Sequence, residues 1–330
     1  MEKKSSTDKP ATAGSGTPSA GRAAATGTAS HLSEKTRLLL NLSDDDRILA
    51  IRQDKWFELG YAKELLGELE TLLALGPQTR PRNVLIIGQS NSGKSTLFEQ
   101  FAKRHPINTD PEAEVAFAPV IRIDCPDSPD RDALCIWLLE AVFARYKVQD
   151  KYEAKLAQVV SIYKSVGVQV LLLDEIHNAL SGTLRQQELF LHALKRFSNL
   201  TKVHIAAAGI EKATLLLAID EQMTSRFKRL QMPTWTPGKE MGVLLATLEN
   251  RTPLRKASDL KSPEMMSSIY RRAEGSLGDT IDLVRECAVA AIKKGEEQIT
   301  ARLLKDIAWT PPSKRREFVK PHQPPSDTTN

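Results

Sequence analysis

Three shortages bound what this 330-residue chain can be. No apolar run approaches the roughly 20 residues that span a bilayer, so no membrane association is expected. The opening Met1-Glu2-Lys3-Lys4-Ser5 has no apolar stretch behind it, so no secretory signal is expected either. Cysteine is scarce. Cys125, Cys135 and Cys287 are scattered without metal-ligand spacing and read as reduced, partly buried thiols of a cytoplasmic protein. Charge of one sign is lacking in the body of the chain. Residues 1–30 and 311–330 each carry +2 of the net +5, which leaves +1 between them. Composition alone therefore announces no nucleic-acid binder.

The remaining composition is ordinary, with 41% hydrophobic and 26% charged residues, enough for one large domain and a small one. Its organising feature is Gly88-Gln89-Ser90-Asn91-Ser92-Gly93-Lys94-Ser95-Thr96, which matches the spacing GxxxxGK[ST] in full. The apolar Val84-Leu85-Ile86-Ile87 precedes it and a helical pattern with Leu97, Phe98 and Phe101 follows, so strand, loop and helix stand in the required order. Gly88 and Gly93 let the backbone turn until successive N–H groups face one concavity, and the helix adds its unpaired N–H groups and positive dipole end. Lys94 is placed to reach β- and γ-phosphates and the Ser95 hydroxyl to ligate Mg²⁺. This pattern predicts binding of a nucleoside triphosphate with Mg²⁺.

Around that loop the chain divides by composition. Residues 1–32, rich in Ala, Gly, Ser, Thr and Pro at their start, form an expected disordered arm. Residues 33–80 read as an N-terminal helical segment. Its Trp56, Phe57 and Tyr61 are core candidates, with an adenine pocket against the phosphate loop as the alternative. Residues 81–233 read as an α/β nucleotide-binding domain with parallel strands near 84–87, 117–123, 170–173, 203–208 and 229–232. The strand Val170-Leu171-Leu172-Leu173 runs straight into Asp174-Glu175, and two acids at the carboxyl end of such a strand sit where open α/β sheets bind ligands. Asp174 is the candidate Mg²⁺ holder and Glu175 the candidate base that orients and deprotonates water. His177 and Asn178 follow, either as partners of a sensing element or as loop caps. After Pro233 the strands stop. Residues 234–310 read as a small helical domain, and 311–330, with five prolines and Lys314-Arg315-Arg316, as a basic tail.

A P-loop domain with an Asp-Glu strand end and a following helical lid resembles the AAA+ ATPases. Within them, Leu172-Leu173-Asp174-Glu175-Ile176-His177-Asn178, then Gly182, Gln186, Gln187 and the helix to Phe197, is similar to the TniB/TnsC family. The Trp56 segment, the helical run from Gly275 to Ala291 and Gln298-Ile299-Thr300 also fit, so the resemblance covers roughly residues 40–308. That family comprises ATP-dependent target-selection regulators of transposons that encode a DDE transposase. The resemblance implies an AAA+ fold with a parallel five-stranded sheet and a C-terminal helical lid, in a bacterial, DNA-associated cytoplasmic protein. It assigns phosphate and metal binding to Gly88, Gly93, Lys94, Ser95, Thr96 and Asp174, and catalysis to Glu175. It also makes Arg226 an arginine finger acting on a neighbouring subunit's nucleotide, with Arg229 as the nearby rival and a surface ion pair as the plain alternative.

The implied partners are non-specific double-stranded DNA, a DDE transposase, a targeting subunit of TniQ type, and further copies of the chain in a ring or helical filament. Lys103 and Arg104, and the region 127–131, are candidates for the DNA phosphates, although Lys103 and Arg104 also suit a helix C-terminus as solubilising charges. Two departures stand out. The strand 203–208 ends in Ala-Ala-Gly-Ile without the usual polar sensor, and Gly275-Ser276-Leu277-Gly278-Asp279-Thr280 lacks the usual lid arginine, with Arg285 a turn or more beyond. Both shift the expected emphasis from fast turnover to nucleotide-controlled assembly. The competing readings are a loader or initiator ATPase of the replication type, and a nucleotide-controlled switch without DNA.

Overall fold

The computed structural model describes residues 29–53, 56–108 and 117–317. Residues 1–28 of the expected arm 1–32 and residues 318–330 of the expected tail 311–330 lie outside that description. Three helices come first: α1 (Glu34–Leu39), α2 (Asp44–Arg52) and α3 (Gly60–Leu75). Ser43 starts α2 by accepting the Asp46 amide at 3.2 Å, with Asp44, Asp45 and Asp46 in the first turn against the helix dipole. Gly76, at φ +61°, stops α3.

The sheet follows: β1 (Asn83–Ile87), α4 (Lys94–Arg104), β2 (Val120–Asp124), α5 (Arg131–Glu140), α6 (Tyr152–Ser165), β3 (Val170–Asp174), a 3₁₀ turn (Ile176–Ser181), α7 (Leu184–Thr201), β4 (His204–Gly209), α8 (Ala213–Ala218), α9 (Glu221–Arg226) and β5 (Phe227–Gln231). Five parallel strands lie in the order β2-β3-β4-β1-β5. Strand alternation divides the interior. Val84 and Ile86 of β1 face a core shared with α3, α4 and the C-terminal helices, whereas Leu85 and Ile87 face the core beneath α5–α9. Strand β2 begins three residues later than the 117–123 expected from composition. Phe117 instead bridges Asn108, and Pro119 has no N–H to extend the ladder, although its carbonyl accepts the Gln169 and Val170 amides at the start of β3.

Beyond Pro233 come α10 (Lys239–Asn250), α11 (Pro263–Ala273), α12 (Leu277–Lys293), α13 (Ala301–Asp306) and α14 (Pro312–Glu317). The expected single N-terminal helical segment is divided between two bodies. Helix α3 packs on α4 and the sheet, while α2 packs on α12 of this C-terminal bundle and the N-cap of α1 bonds to the end of α10. The reason is electrostatic as well as apolar. Arg47, completely buried, gives both guanidinium ends to Glu297 and a further bond to the Pro253 carbonyl, while Ser33 donates to the Asn250 carbonyl. Buried His204 ties the entry to β1: its Nδ1 accepts the Arg82 amide at 3.0 Å and its Nε2 donates to the Gly76 carbonyl at 2.8 Å. No helix among the described residues is long and apolar enough to cross a membrane.

Candidate nucleotide-binding site

The loop between β1 and α4 is a cradle whose shape follows from its glycines. A Cβ on Gly88 would lie 2.6 Å from the Ser92 hydroxyl and 2.7 Å from Met232, so only glycine permits this close return. Gly93, at φ +92°, opens α4 and leaves its first N–H groups without a side-chain cap. Lys94 turns back into the loop, buried, and its ammonium donates to the Gly88 carbonyl at 3.0 Å and the Gln89 carbonyl at 2.8 Å. Burial lowers its pKa, against the opposing pull of Glu175 and Asp174. The Ser92 hydroxyl is buried without a partner. A desolvated ammonium, an unpaired hydroxyl and a free helix N-terminus within one loop suit a bound triphosphate; Gln89, Ser90 and Ser95 belong to the same loop and the first turn of α4, and Asn91 and Thr96 line the adjacent cavity.

Asp174 and Glu175 arrive at the same end of the sheet because β3 and β1 are parallel. Asp174 is buried and pairs with Arg122 of β2 at 3.2 Å, while Arg122 also faces Asp124 at 3.7 Å. The cross-strand register Asp124↔Asp174 is what brings Arg122 to the acid, a juxtaposition that sequence alone does not display. Glu175 has a left-handed backbone, φ +51°, and its carboxylate lies 3.2 Å from His177 Nε2. The other ring nitrogen of His177 is buried without a partner and lies beside Gly209, at the end of β4, where the sequence offers no polar side chain.

Next to the loop is a cavity of about 330 Å³ between the N-terminal segment and α12. Trp56, Phe57 and Tyr61 line one side, Thr96 the α4 side, and Ile281 and Arg285 the lid side. The aromatic trio is thus not only core; it forms a partly apolar wall of a size that suits a nucleobase. Burial pushes the Tyr61 phenol up to about 12, so it stays neutral. Arg285 reaches this wall from one turn beyond Ile281 and donates to the Gln53 carbonyl at 3.0 Å. Its sequence distance from the Gly275–Thr280 stretch hides that placement.

The remaining candidates lie elsewhere. Arg226 ends α9 at the amino end of the sheet, whereas the loop lies at the carboxyl end; one guanidinium nitrogen donates to Asn199 at 2.7 Å and its Nε is buried without a partner. It shares an open depression with Arg80 and Arg82 that no carboxylate lines. Arg229 sits in mid-strand on the outer strand β5. Lys103 and Arg104, in the last turn of α4, pair with Glu99 at 2.5 Å and Glu58 at 3.8 Å, and Lys103 also edges the cavity. In the region 127–131, Asp130 caps α5 and Arg131 lies over the Tyr152 ring.

A model of a bacterial TniB protein family matches residues 47–237. Among solved structures, ORC2 of Aeropyrum pernix in ADPNP-ADP complexes superposes with a TM-score of 0.56 at 15% identity, covering 78% of this chain and 70% of that one. Cdc6p of Pyrobaculum aerophilum gives 0.55 at 15%, covering 78% and 68%. ORC1 of Aeropyrum pernix in complex with DNA gives 0.51 at 15%, covering 82% and 69%. At such identities the likeness is one of fold. No curated protein matches the chain.

Proposed function

Because this chain belongs to the bacterial TniB family, we propose that it is a DNA-binding AAA+ regulator of transposition, which assembles on target DNA in an ATP-dependent way and recruits and activates a transposase. It is an ATPase of the AAA+ architecture. The observation that carries the reading is the cradle of Gly88–Thr96, with buried Lys94 and unpartnered Ser92, facing the Asp174-Glu175 strand end. Lys94 and the α4 N–H groups bind the β- and γ-phosphates, and Ser95 and Asp174 would hold Mg²⁺, with Arg122 as the cation that occupies Asp174 otherwise. Bound Mg²⁺ supplies charge neutralisation on the phosphoryl oxygens. Glu175 orients the attacking water and accepts its proton, its carboxylate turned by the left-handed backbone and steadied by His177. The cavity wall of Trp56, Phe57 and Ile281 takes the base.

Arg226 acts on a second copy. It lies a full five-residue strand from its own loop, roughly 17 Å at the usual rise. That span is too long for one arginine side chain to cross while held by Asn199. The carboxylate-free depression of Arg80, Arg82 and Arg226 supports an anionic counterpart there. DNA enters through sequence-independent phosphate contacts, for which Lys103 and Arg104 are the candidates; a DDE transposase and a TniQ-type subunit are the proposed protein partners.

Electron microscopy of the chain with duplex DNA, in ATP, in ADP and without nucleotide, tests this directly. Ordered rings or filaments on DNA are expected in ATP only, and Lys94→Ala should abolish them. Normal assemblies of that variant, or assemblies indifferent to nucleotide, would refute the switch.

A further inference from the structure

Asp279 stands in the first turn of α12, 3% exposed, where the lid meets the apex of the phosphate loop. A carboxylate taken out of water there needs both hydrogen bonds and a countercharge. The bonds are local. The Ser276 hydroxyl donates to Oδ2 at 2.5 Å, and the Asn91 side-chain amide of the phosphate loop donates to the same oxygen at 3.2 Å. The lid's grip on Asn91 is reinforced by its backbone. Gly278 N–H donates to the Asn91 carbonyl at 2.9 Å, and any Cβ on Gly278 would collide with the Asn91 side chain. Asn91 itself holds the left-handed conformation, φ +61°, that turns the loop.

The countercharge comes from the far end of the chain. Oδ1 of Asp279, which no hydrogen bond reaches, faces the Arg315 guanidinium at 2.8 Å. Arg315 is itself fixed: its Nε donates to the Thr310 carbonyl at 2.8 Å and its guanidinium lies 4.9 Å over the Trp309 ring. Trp309 donates in turn to the Arg272 carbonyl at 2.9 Å, and the Ser313 amide donates to Glu274 at 2.8 Å. The segment 309–315 is thereby strapped across the α11–α12 corner.

We propose that Arg315 is a positioning residue for the nucleotide site. It neutralises Asp279, Asp279 retains the Asn91 amide, and Asn91 keeps the apex of the phosphate loop in its binding shape beneath α12. The C-terminal segment thereby tunes nucleotide affinity without touching the nucleotide, and whatever lifts it off the lid weakens binding. This inference rests on the reading of Gly88–Thr96 as a phosphate site.

The test is equilibrium binding of a fluorescent ATP analogue to the full chain, with turnover measured in parallel. Arg315→Ala should weaken binding by about five- to tenfold, the loss scaled down from that of a fully buried pair because Arg315 is half exposed, and leave kcat at saturating nucleotide unchanged. Arg315→Lys should recover part of the affinity, as a charge without the planar fork. In an Asp279→Asn background, where no charge needs compensating, Arg315→Ala should bind no worse than Asp279→Asn alone. Wild-type affinity in Arg315→Ala, or an undiminished penalty in the Asp279→Asn background, would overturn the proposal. Lys94→Ala separates the two levels. If it keeps full affinity, the phosphate-site reading fails. If it loses affinity and Arg315→Ala does not, this inference alone fails.

Discussion

Replacing Arg47 with methionine should destabilise the molecule by roughly 3–5 kcal/mol, the cost of stripping one partner from a buried ion pair. The guanidinium is 0% exposed and Glu297 only 14%, and the two are joined by bonds of 2.9 and 2.5 Å. Asp44, at 66% exposure, adds little, because water already screens it. Without Arg47, Glu297 keeps only the Arg255 amide at 3.2 Å and a distant Arg255 side chain at 3.6 Å. Thermal unfolding should therefore shift down by roughly 6 °C or more at neutral pH. Glu297→Gln in the same chain should return much of the loss, since it removes the stranded charge while keeping a side chain that the left-handed backbone already tolerates. Burial pushes the Glu297 carboxyl up, but the Arg47 bonds outweigh it and hold it below the usual range. A depressed folded pKa contributes stability that is complete above the unfolded value, about 4.3, and fades as pH falls through the folded value. In Arg47→Met the sign reverses, because the stranded carboxyl gains a proton more readily when folded. The gap between the two proteins should thus narrow from pH 7 to pH 4.5. A gap below about 1 kcal/mol at pH 7, or one that ignores pH, would refute the reasoning.

Three further outcomes concern the site. Glu175→Gln should bind ATP normally and lower phosphate release by about 100-fold or more, the usual contribution of a positioned base; an unchanged rate would remove Glu175 from that role. Arg226→Ala should lower turnover only in the assembled state, by as much as about 1,000-fold for an arginine supplied in trans, and mixing it with Lys94→Ala should show interference between copies. Independent, additive behaviour of the mixture would count against action across an interface. ATP should alter tryptophan emission, and Trp56→Phe should remove most of that change. Equal changes in both proteins would mean that the base lies outside the cavity.

The features readable from sequence are those whose causes are local. Five consecutive residues decide whether a strand is buried on both faces, and Val170–Asp174 satisfies that condition without help from the rest of the chain. The Gly88–Thr96 loop is equally local, since its glycines, lysine and hydroxyl residues act on one ligand within nine positions. The start of β2 is not legible from composition, because Pro119 brings no N–H to a ladder that the apolar run alone would continue. What could not be read depends on partners far apart in sequence. Arg47 and Glu297 are separated by 250 positions, and nothing near Arg47 signals that α2 joins the lid and not the sheet. The cavity wall has the same origin, since Trp56 and Arg285 meet only after the lid folds back. The pairing of Arg122 with Asp174 likewise exists only once β2 lies beside β3.

That strand order also limits what one copy can accomplish. In a parallel sheet every carboxyl end lies on one side, so the phosphate loop, Asp174 and Glu175 gather there while the entry to β5 lies on the other. An arginine at that entry cannot attend to its own nucleotide, whatever the side-chain rotamer. If Arg226 has a phosphate to stabilise, it belongs to another copy of the chain, and the site is then finished only by assembly. The lid side has a different logic. There the Asn91–Asp279–Arg315 contacts lie wholly within one chain and bear on how firmly the loop keeps its shape. Retention would therefore be governed within a chain and hydrolysis between chains. Such a division suits a protein whose nucleotide state reports whether neighbours are in place, and it makes separate variants of Arg315 and Arg226 separable in their effects: the first on affinity in the isolated chain, the second on turnover in the assembly.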